Sequence, residues 1–298
     1  MSSIKPKILV IVGPTASGKT SLSVTLAERF NGEIISADSR QVYKGLDLGT
    51  GKITNAEMRD VPHHLLDVAD PNDTYTVTDF VRDGRTVIED ILSRNKLPII
   101  VGGTFFYIDA LLGRISTPEV PPNQVLREKL ETVPTETLIK SLERLDPDRA
   151  ETIDRDNRRR LIRALEIVEA LGTTPTTKAE ELYTPLTLGI SISKEDLQKN
   201  IHDRLVARMN VGMVEEVKNL HEQGLSYERM EDLGLEYRYI AQYLQNTVTY
   251  EELLTLLETK IRQYAKRQMT WLKRDKSIIW IDPQEIENIE KTITKFLR

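Results

Sequence analysis

Ile8-Leu9-Val10-Ile11-Val12-Gly13-Pro14-Thr15-Ala16-Ser17-Gly18-Lys19-Thr20 is the stretch that decides the fold. An apolar run halted by Gly-Pro reads as a buried strand. Residues 13–20 then fit G-x-x-x-x-G-K-[ST] in full. The following segment carries Leu22, Leu26 and Phe30 at helical spacing, with Asn31-Gly32 as its stop, and EIISAD supplies a second strand. Strand, glycine-rich loop, helix and strand therefore succeed one another as a βαβ unit. In that context the loop is a phosphate cradle: backbone N–H groups converge on an anion, the helix N-terminus adds its dipole, Lys19 brings a point charge and the Thr20 hydroxyl is placed to hold Mg²⁺. Gly13, Pro14, Thr15, Ala16, Ser17, Gly18, Lys19 and Thr20 are the candidate diphosphate-binding residues.

Outward from this unit, LPIIV at 97–101 is another buried strand, ending at Gly102-Gly103 ahead of the apolar FFYIDALL. The expected fold is α/β, a P-loop NTPase-like core on a parallel sheet. From Ser116 the character changes to charged, predominantly helical segments punctuated by Pro134, Pro147 and Pro175, until the strand-like LTLGISI returns at Leu186. The core is thus expected to span 1–115 and 186–298, with a mostly helical insertion over 116–185. A helix over about 157–171 places Leu161, Leu165 and Val168 on one side and Arg159, Arg160 and Arg163 along a basic flank. Beyond Lys194 the chain reads as helical to Arg274, with Thr249 and Glu252 spaced as a capping box, before a late strand in SIIWID.

Composition narrows the chemistry. The 298 residues contain no cysteine, so there is no disulfide framework, Cys-ligated zinc or thiol nucleophile, and a reducing cytoplasm suits the chain. Four scattered histidines argue against a metalloenzyme built on His ligands. The apolar run at the first strand is far too short for a membrane span or signal segment. With 41 Lys and Arg against 46 Asp and Glu, the net charge of −5 excludes bulk electrostatic coating of nucleic acid. Two local basic runs remain, 155–163 and 260–276, each read first as a solvated helix face.

Asp38 follows the second strand, where open α/β sheets bind their ligands, and is read either as a general base or as a cap of its own turn. Thr104, after the 97–101 strand, either aims its hydroxyl into the site or caps the next helix. No apolar strand beside the loop ends in the acid that a phosphate-hydrolysing motor needs, although Asp282 closes SIIWID near the far end. His63-His64 is read as a loop pair without a third ligand.

Taken together, GPTASGKT, ISADSRQVYKGLDLGTGK, PHHLLD, VGGTFFY, the RRLIRALE helix and YAKRQMTWLKR resemble the tRNA dimethylallyltransferases, also called tRNA isopentenyltransferases, from Gly13 to about Arg274. The resemblance implies that the loop holds dimethylallyl diphosphate and that the enzyme alkylates N6 of the adenine 3′-adjacent to the anticodon, with Mg²⁺ as the required ion. It implies that Thr15 to Thr20 bind the diphosphate together with Arg208, and that Asp38 takes the amine proton in a catalytic pair with Thr104. Asp38, Ser39, Arg40, Gln41 and Thr104 would contact the target nucleotide. Arg127, Arg159, Arg160, Leu161, Ile162 and Arg163 would contact the tRNA anticodon arm. The enzyme is expected to act as a monomer, in the cytoplasm and away from membranes. Two places depart from the family pattern: the segment after Arg208 is shortened, and GLEYR at 234–238 replaces a GYKE-like block. Two other classes fit parts of the sequence. A small-molecule or nucleotide kinase shares the loop and the following Asp but has little use for an Arg-rich insertion. A non-catalytic tRNA-binding protein would not need Lys19, Thr20, Asp38 and Thr104 together.

Overall fold

The computed structural model describes residues 5–115, 118, 120–175 and 180–298. The expected start of the insertion at Ser116 lies outside the described residues. Two compact units are present, one formed by Met1–Leu112 with Glu181–Arg298 and the other by Gly113–Glu180.

In the first unit the elements run β1 (Lys7–Val12), α1 (Lys19–Arg29), β2 (Gly32–Ala37), α2 (Asn55–Met58), β3 (His63–His64), α3 (Val77–Ser93), β4 (Leu97–Gly102) and α4 (Phe105–Leu111). The second unit holds α5 (Gln124–Glu131), α6 (Thr135–Leu145), α7 (Pro147–Thr152) and α8 (Arg158–Leu171). The chain then returns to the first with β5 (Thr184–Ile190), α9 (Lys194–Val211), α10 (Met213–Glu222), α11 (Tyr227–Leu233), α12 (Leu235–Leu244), α13 (Tyr250–Leu272), β6 (Ile279–Ile281) and α14 (Ile286–Leu297).

The sheet is parallel throughout, in the order β3-β2-β4-β1-β5-β6. Strand alternation sorts β1 between two cores. Ile8, Val10 and Val12 pack with Phe80, Ile88, Ile91 and Leu111 of α3 and α4, whereas Leu9 and Ile11 pack with Leu22 and Leu26 of α1 and Ile289 and Ile293 of α14. Each such fully buried aliphatic side chain contributes about 1.5–3 kcal/mol, so a charge at Ile11 would disrupt the sheet centre. A third cluster, from Ile201 to Ala265, joins the faces of α9 to α13.

His63 and His64 form a short strand rather than the expected loop, paired with Ile34 and Ile35. The reason is electrostatic. Glu33, 1% exposed within β2, accepts hydrogen bonds from Arg94, Lys96 at 2.7 Å and His64 at 2.8 Å. These partners, Arg94 foremost, hold its carboxyl well below the usual range against the opposing effect of burial, and they pin the His pair to the sheet edge. The last helix, α14, lies beyond the elements read from sequence.

The second unit closes on Leu138, Leu142, Leu161, Leu165 and Val168. Asn157 caps α8 by accepting from Arg160 N at 3.2 Å, and Gly172 ends it at φ 84°. At its centre Glu166, 2% exposed, accepts from Arg127 Nε at 2.9 Å, Arg127 Nη2 at 2.8 Å, Asn123 N at 2.6 Å and Arg163. Burial pushes this carboxyl up, but the bonds to Arg127, Asn123 and Arg163 outweigh it and hold the group near pKa 2.

Candidate active site

The phosphate loop is built as the motif requires. Gly18 adopts φ 89° at the start of α1, a left-handed conformation that glycine takes without steric cost, and Ala16 shares it at φ 63°. Lys19 Nζ donates to the carbonyls of Gly13 at 2.9 Å and Pro14 at 2.7 Å, folding the side chain back over the loop. Ser17 Oγ is buried without a partner among the described residues, an orphaned polar atom inside a cradle made for oxygen-rich ligands.

Three long-range contacts hold this loop, and none was foreseen from sequence. Gln268 of α13 accepts from Thr15 N at 2.8 Å while its amide donates to Gly103 O at 3.1 Å, tying loop to β4. Asn200 of α9 donates to Ala16 O at 3.1 Å, and Arg204 donates to the Thr15 hydroxyl. Gln268 lies within the YAKRQMTWLKR block. Arg204 precedes Arg208 by one helical turn, and that spacing was the available signal.

Around the loop lies a cavity of about 640 Å³, lined by residues 15–21 together with Ser36, Asp38, Gln41, Arg204, Arg208 and Tyr264. A second lobe of about 270 Å³ shares Thr15, Asp38, Thr50, Arg204, Arg208 and Tyr264 and adds Ser39, Arg40, Glu236 and Arg267. Asp38 and the two arginines therefore border both lobes. Burial, followed by the charge of Arg204, lowers the Lys19 ammonium to about 7, with Asp38 opposing the shift. Burial and Arg208 likewise lower Arg204 to about 10. Lys19, Arg204 and Arg208 are crowded out of water beside the carboxylates of Asp38 and Glu236, and this concentration of donors and positive charge suits an anionic ligand.

The second half of the site depends on how β2 and β4 end. A Cβ on Gly102 would lie 2.1 Å from Ala37 O, so only glycine lets these strand ends meet. Thr104 N then donates to Ala37 O at 3.1 Å. The Thr104 hydroxyl makes no capping bond on α4; it accepts from Ser39 N at 3.0 Å and so shapes the Asp38 turn. Asp38 Oδ1 accepts from Arg40 N at 2.9 Å and Gln41 N at 3.4 Å, while Oδ2 has no hydrogen bond among the described residues. One oxygen of Asp38 thus caps its own turn, and the carboxyl borders the cavity. Gln41 accepts from Ser36 Oγ at 3.1 Å and donates toward the carbonyls of Thr50 and Gly51. Arg40 reaches Asp232 O at 3.2 Å. Arg208 takes its place in the cavity despite the shortened segment that follows it, facing Glu236 at 4.0 Å. Asp282 does not line the cavity and accepts instead from Gln284 N.

In the helical unit, Arg159 and Arg160 are exposed, Arg160 lying 3.8 Å from Asp154. Arg127 and Arg163 are engaged with Glu166. Leu161 and Ile162, expected among the tRNA contacts, are 0% and 4% exposed, because their apolar side chains fill the unit's own core. Arg158 was not singled out; it donates to the carbonyls of Leu130, Glu131 and Val133 at the end of α5.

The IPP transferase family model matches residues 41–275, and an isopentenyl transferase model matches residues 6–70. A tRNA dimethylallyltransferase of Anoxybacillus flavithermus is 39% identical over 297 residues, covering 98% of this chain and 95% of that protein. Among solved structures, the full-length tRNA isopentenylpyrophosphate transferase of Bacillus halodurans superposes with a TM-score of 0.74 at 35% identity, covering 98% of this chain and 96% of that one. A eukaryotic dimethylallyltransferase acting on tRNA superposes at 0.82 and 29% identity, covering 95% and 75%. With the loop, the paired lobes and these likenesses in agreement, the chain belongs to the IPP transferase family of tRNA dimethylallyltransferases.

Proposed function

We propose that this enzyme transfers the dimethylallyl group of dimethylallyl diphosphate to N6 of the adenine at tRNA position 37, next to the anticodon, giving N6-(dimethylallyl)adenosine. The observation that carries the reading is the position of Asp38, which borders the cation-rich phosphate lobe and the second lobe at once. An exocyclic amine is a weak nucleophile, so the reaction needs a leaving group stabilised at its developing charge. Lys19, Arg204, Arg208 and the N–H groups opening α1 supply that stabilisation. The N6 lone pair attacks C1 of the allyl group, and the C1–O bond breaks with its electron pair leaving on the diphosphate. The N6 proton passes to Asp38. Thr104 positions the Asp38 turn through Ser39.

Mg²⁺ fits this donor set. The Thr20 hydroxyl lines the cavity, and no cluster of three acid or His ligands exists among the described residues, so the ion would share Thr20, diphosphate oxygens and water, as Mg²⁺ prefers. When bound it would neutralise charge growing on the leaving diphosphate.

The second lobe, with Ser39, Arg40, Tyr264 and Arg267, suits a flipped-out nucleotide, and a single-stranded anticodon loop makes that flipping cheaper. The basic face of α8, with Arg159 and Arg160, offers phosphate contacts to the anticodon arm. No helix among the described residues is long and apolar enough to cross a membrane. A monomer acting in the cytoplasm is part of the same proposal. Mass spectrometry tests the whole reading: protein, dimethylallyl diphosphate, Mg²⁺ and an anticodon stem-loop should yield RNA heavier by one five-carbon group, and no mass gain overturns it. Asp38→Asn should lower turnover about 100- to 10,000-fold while stem-loop binding persists.

A further inference from the structure

Glu236 opens α12 and is 9% exposed, yet its pairing is loose. Its carboxyl faces Arg208 Nη1 across 4.0 Å, beyond hydrogen-bond distance. A carboxylate taken out of water needs close donors to offset its desolvation. Glu33 and Glu166 have them, three basic partners in one case and two arginines with a backbone N–H in the other. Glu236 instead stands at arm's length from a guanidinium that borders the phosphate lobe. That guanidinium has little freedom, since a Cβ on Gly51 would lie 1.5 Å from Arg208 Nη2. The loop carrying Gly51 and the start of α12 confine Arg208 between them.

We infer that Glu236 is a resident counter-anion for Arg208 which the diphosphate displaces, so that this carboxylate weakens diphosphate binding and speeds release of the pyrophosphate product. The inference rests on the diphosphate reading of the same cavity. A diphosphate offers Arg208 short charge-assisted bonds that Glu236 does not make, and it therefore wins the contact. Glu236 is then left buried beside an anion, which raises the energy of the filled state. Once the allyl group has gone, the same repulsion favours exit of the pyrophosphate. Arg208 and Arg204 from α9, Asp38 after β2, Tyr264 from α13 and the neighbouring Tyr237 are the charged and titratable groups facing Glu236. Burial pushes its carboxyl up, Arg208, its own backbone N–H and Arg204 pull it down, and Asp38 adds to the upward push.

Calorimetric binding of inorganic pyrophosphate with Mg²⁺ to the full chain provides the test, run on wild type, Glu236→Gln and Glu236→Asp. Glu236→Gln should bind roughly tenfold tighter, the order of effect of deleting one like charge in a buried site bordering an open cavity. Glu236→Asp, keeping the charge, should stay close to wild type. The gap between Gln variant and wild type should narrow as pH falls and Glu236 takes up its proton. In turnover, steady-state kcat of Glu236→Gln should fall further below its own single-turnover rate than in wild type, as release slows. Equal or weaker pyrophosphate binding by a Gln variant with a native melting curve overturns the inference, since Glu236 would then support Arg208 instead of competing for it. Should Gln not fold, Glu236→Met carries the same comparison. Wild type that binds no pyrophosphate overturns the diphosphate reading itself and is seen before any variant is made.

Discussion

Glu216 of α10 touches no part of the cavity floor, yet replacing it with Gln should weaken both the fold and the site. Its Oε2 accepts from Leu48 N at 2.6 Å and Asp47 N at 3.2 Å, and its Oε1 accepts from Gly49 N at 3.0 Å and the Tyr237 hydroxyl at 2.9 Å. A glutamine has one acceptor, so its NH₂ must face either two N–H donors or an N–H and an O–H. Each bond to a charged acceptor contributes about 1.5–3 kcal/mol, less where water competes, so losing two at this half-buried position costs about 2–3 kcal/mol. The loop so loosened carries Thr50 and Gly51, whose carbonyls receive Gln41 and whose backbone confines Arg208. Urea unfolding should register the stability loss, hydrogen exchange should quicken at the amides of Leu48 and Gly49, and KM for the diphosphate donor should rise more than kcat falls. A Gln variant within about 0.5 kcal/mol of wild type, with slow exchange at those amides, would refute the clamp.

Three further outcomes follow from the same geometry. Gly51→Ala should cost about 1 kcal/mol in stability, because Gly51 sits at φ 63°, and should raise donor KM about tenfold or more by displacing Arg208; kinetics and melting together check it. Burial lowers Lys19 to about 7, so binding of dimethylallyl diphosphate at pH 8 should be accompanied by proton uptake, read by calorimetry in buffers of different ionisation heat; no uptake contradicts the burial argument. Glu33 is depressed in the fold, so its stabilisation is present above the ordinary carboxylate range and lost as pH falls below about 4.5. Urea midpoints for wild type should drop through that window, Glu33→Gln should show a shallower drop, and at pH 7 the variant should be about 3–5 kcal/mol less stable.

The parts of this molecule that could be read in advance are those whose cause is local. β1, the phosphate loop and α1 announce themselves because periodicity, glycine placement and capping all act within a few residues of one another. The same holds for the Thr249 cap, where Glu252 donates its backbone N–H to the Thr249 hydroxyl at 3.2 Å. Gln268 and Glu216 were illegible for the opposite reason: each works through a partner far along the chain, and nothing in its own neighbourhood says which face of its helix meets the site, whereas Arg204 had only its one-turn spacing from Arg208 to mark it. β3 escaped because a two-residue strand has no alternation to detect, and its stability comes from Glu33 across the sheet. Leu161 and Ile162 show the reverse error, in which a motif block drew apolar core residues into an expected binding set along with their arginine neighbours.

The hydrogen bonds of Gln268 have a consequence for how the enzyme comes into being. Thr15 and Gln268 are 253 residues apart. At about 5–20 residues per second, a ribosome emits the phosphate loop some 13 to 50 s before it emits the side chain that braces it. During that interval the nascent loop lacks the clasp between Thr15 N and Gly103 O, and for most of it also lacks the cations of α9. The loop's long-range braces are thus completed in stages, Asn200 and Arg204 of α9 first and Gln268 of α13 last.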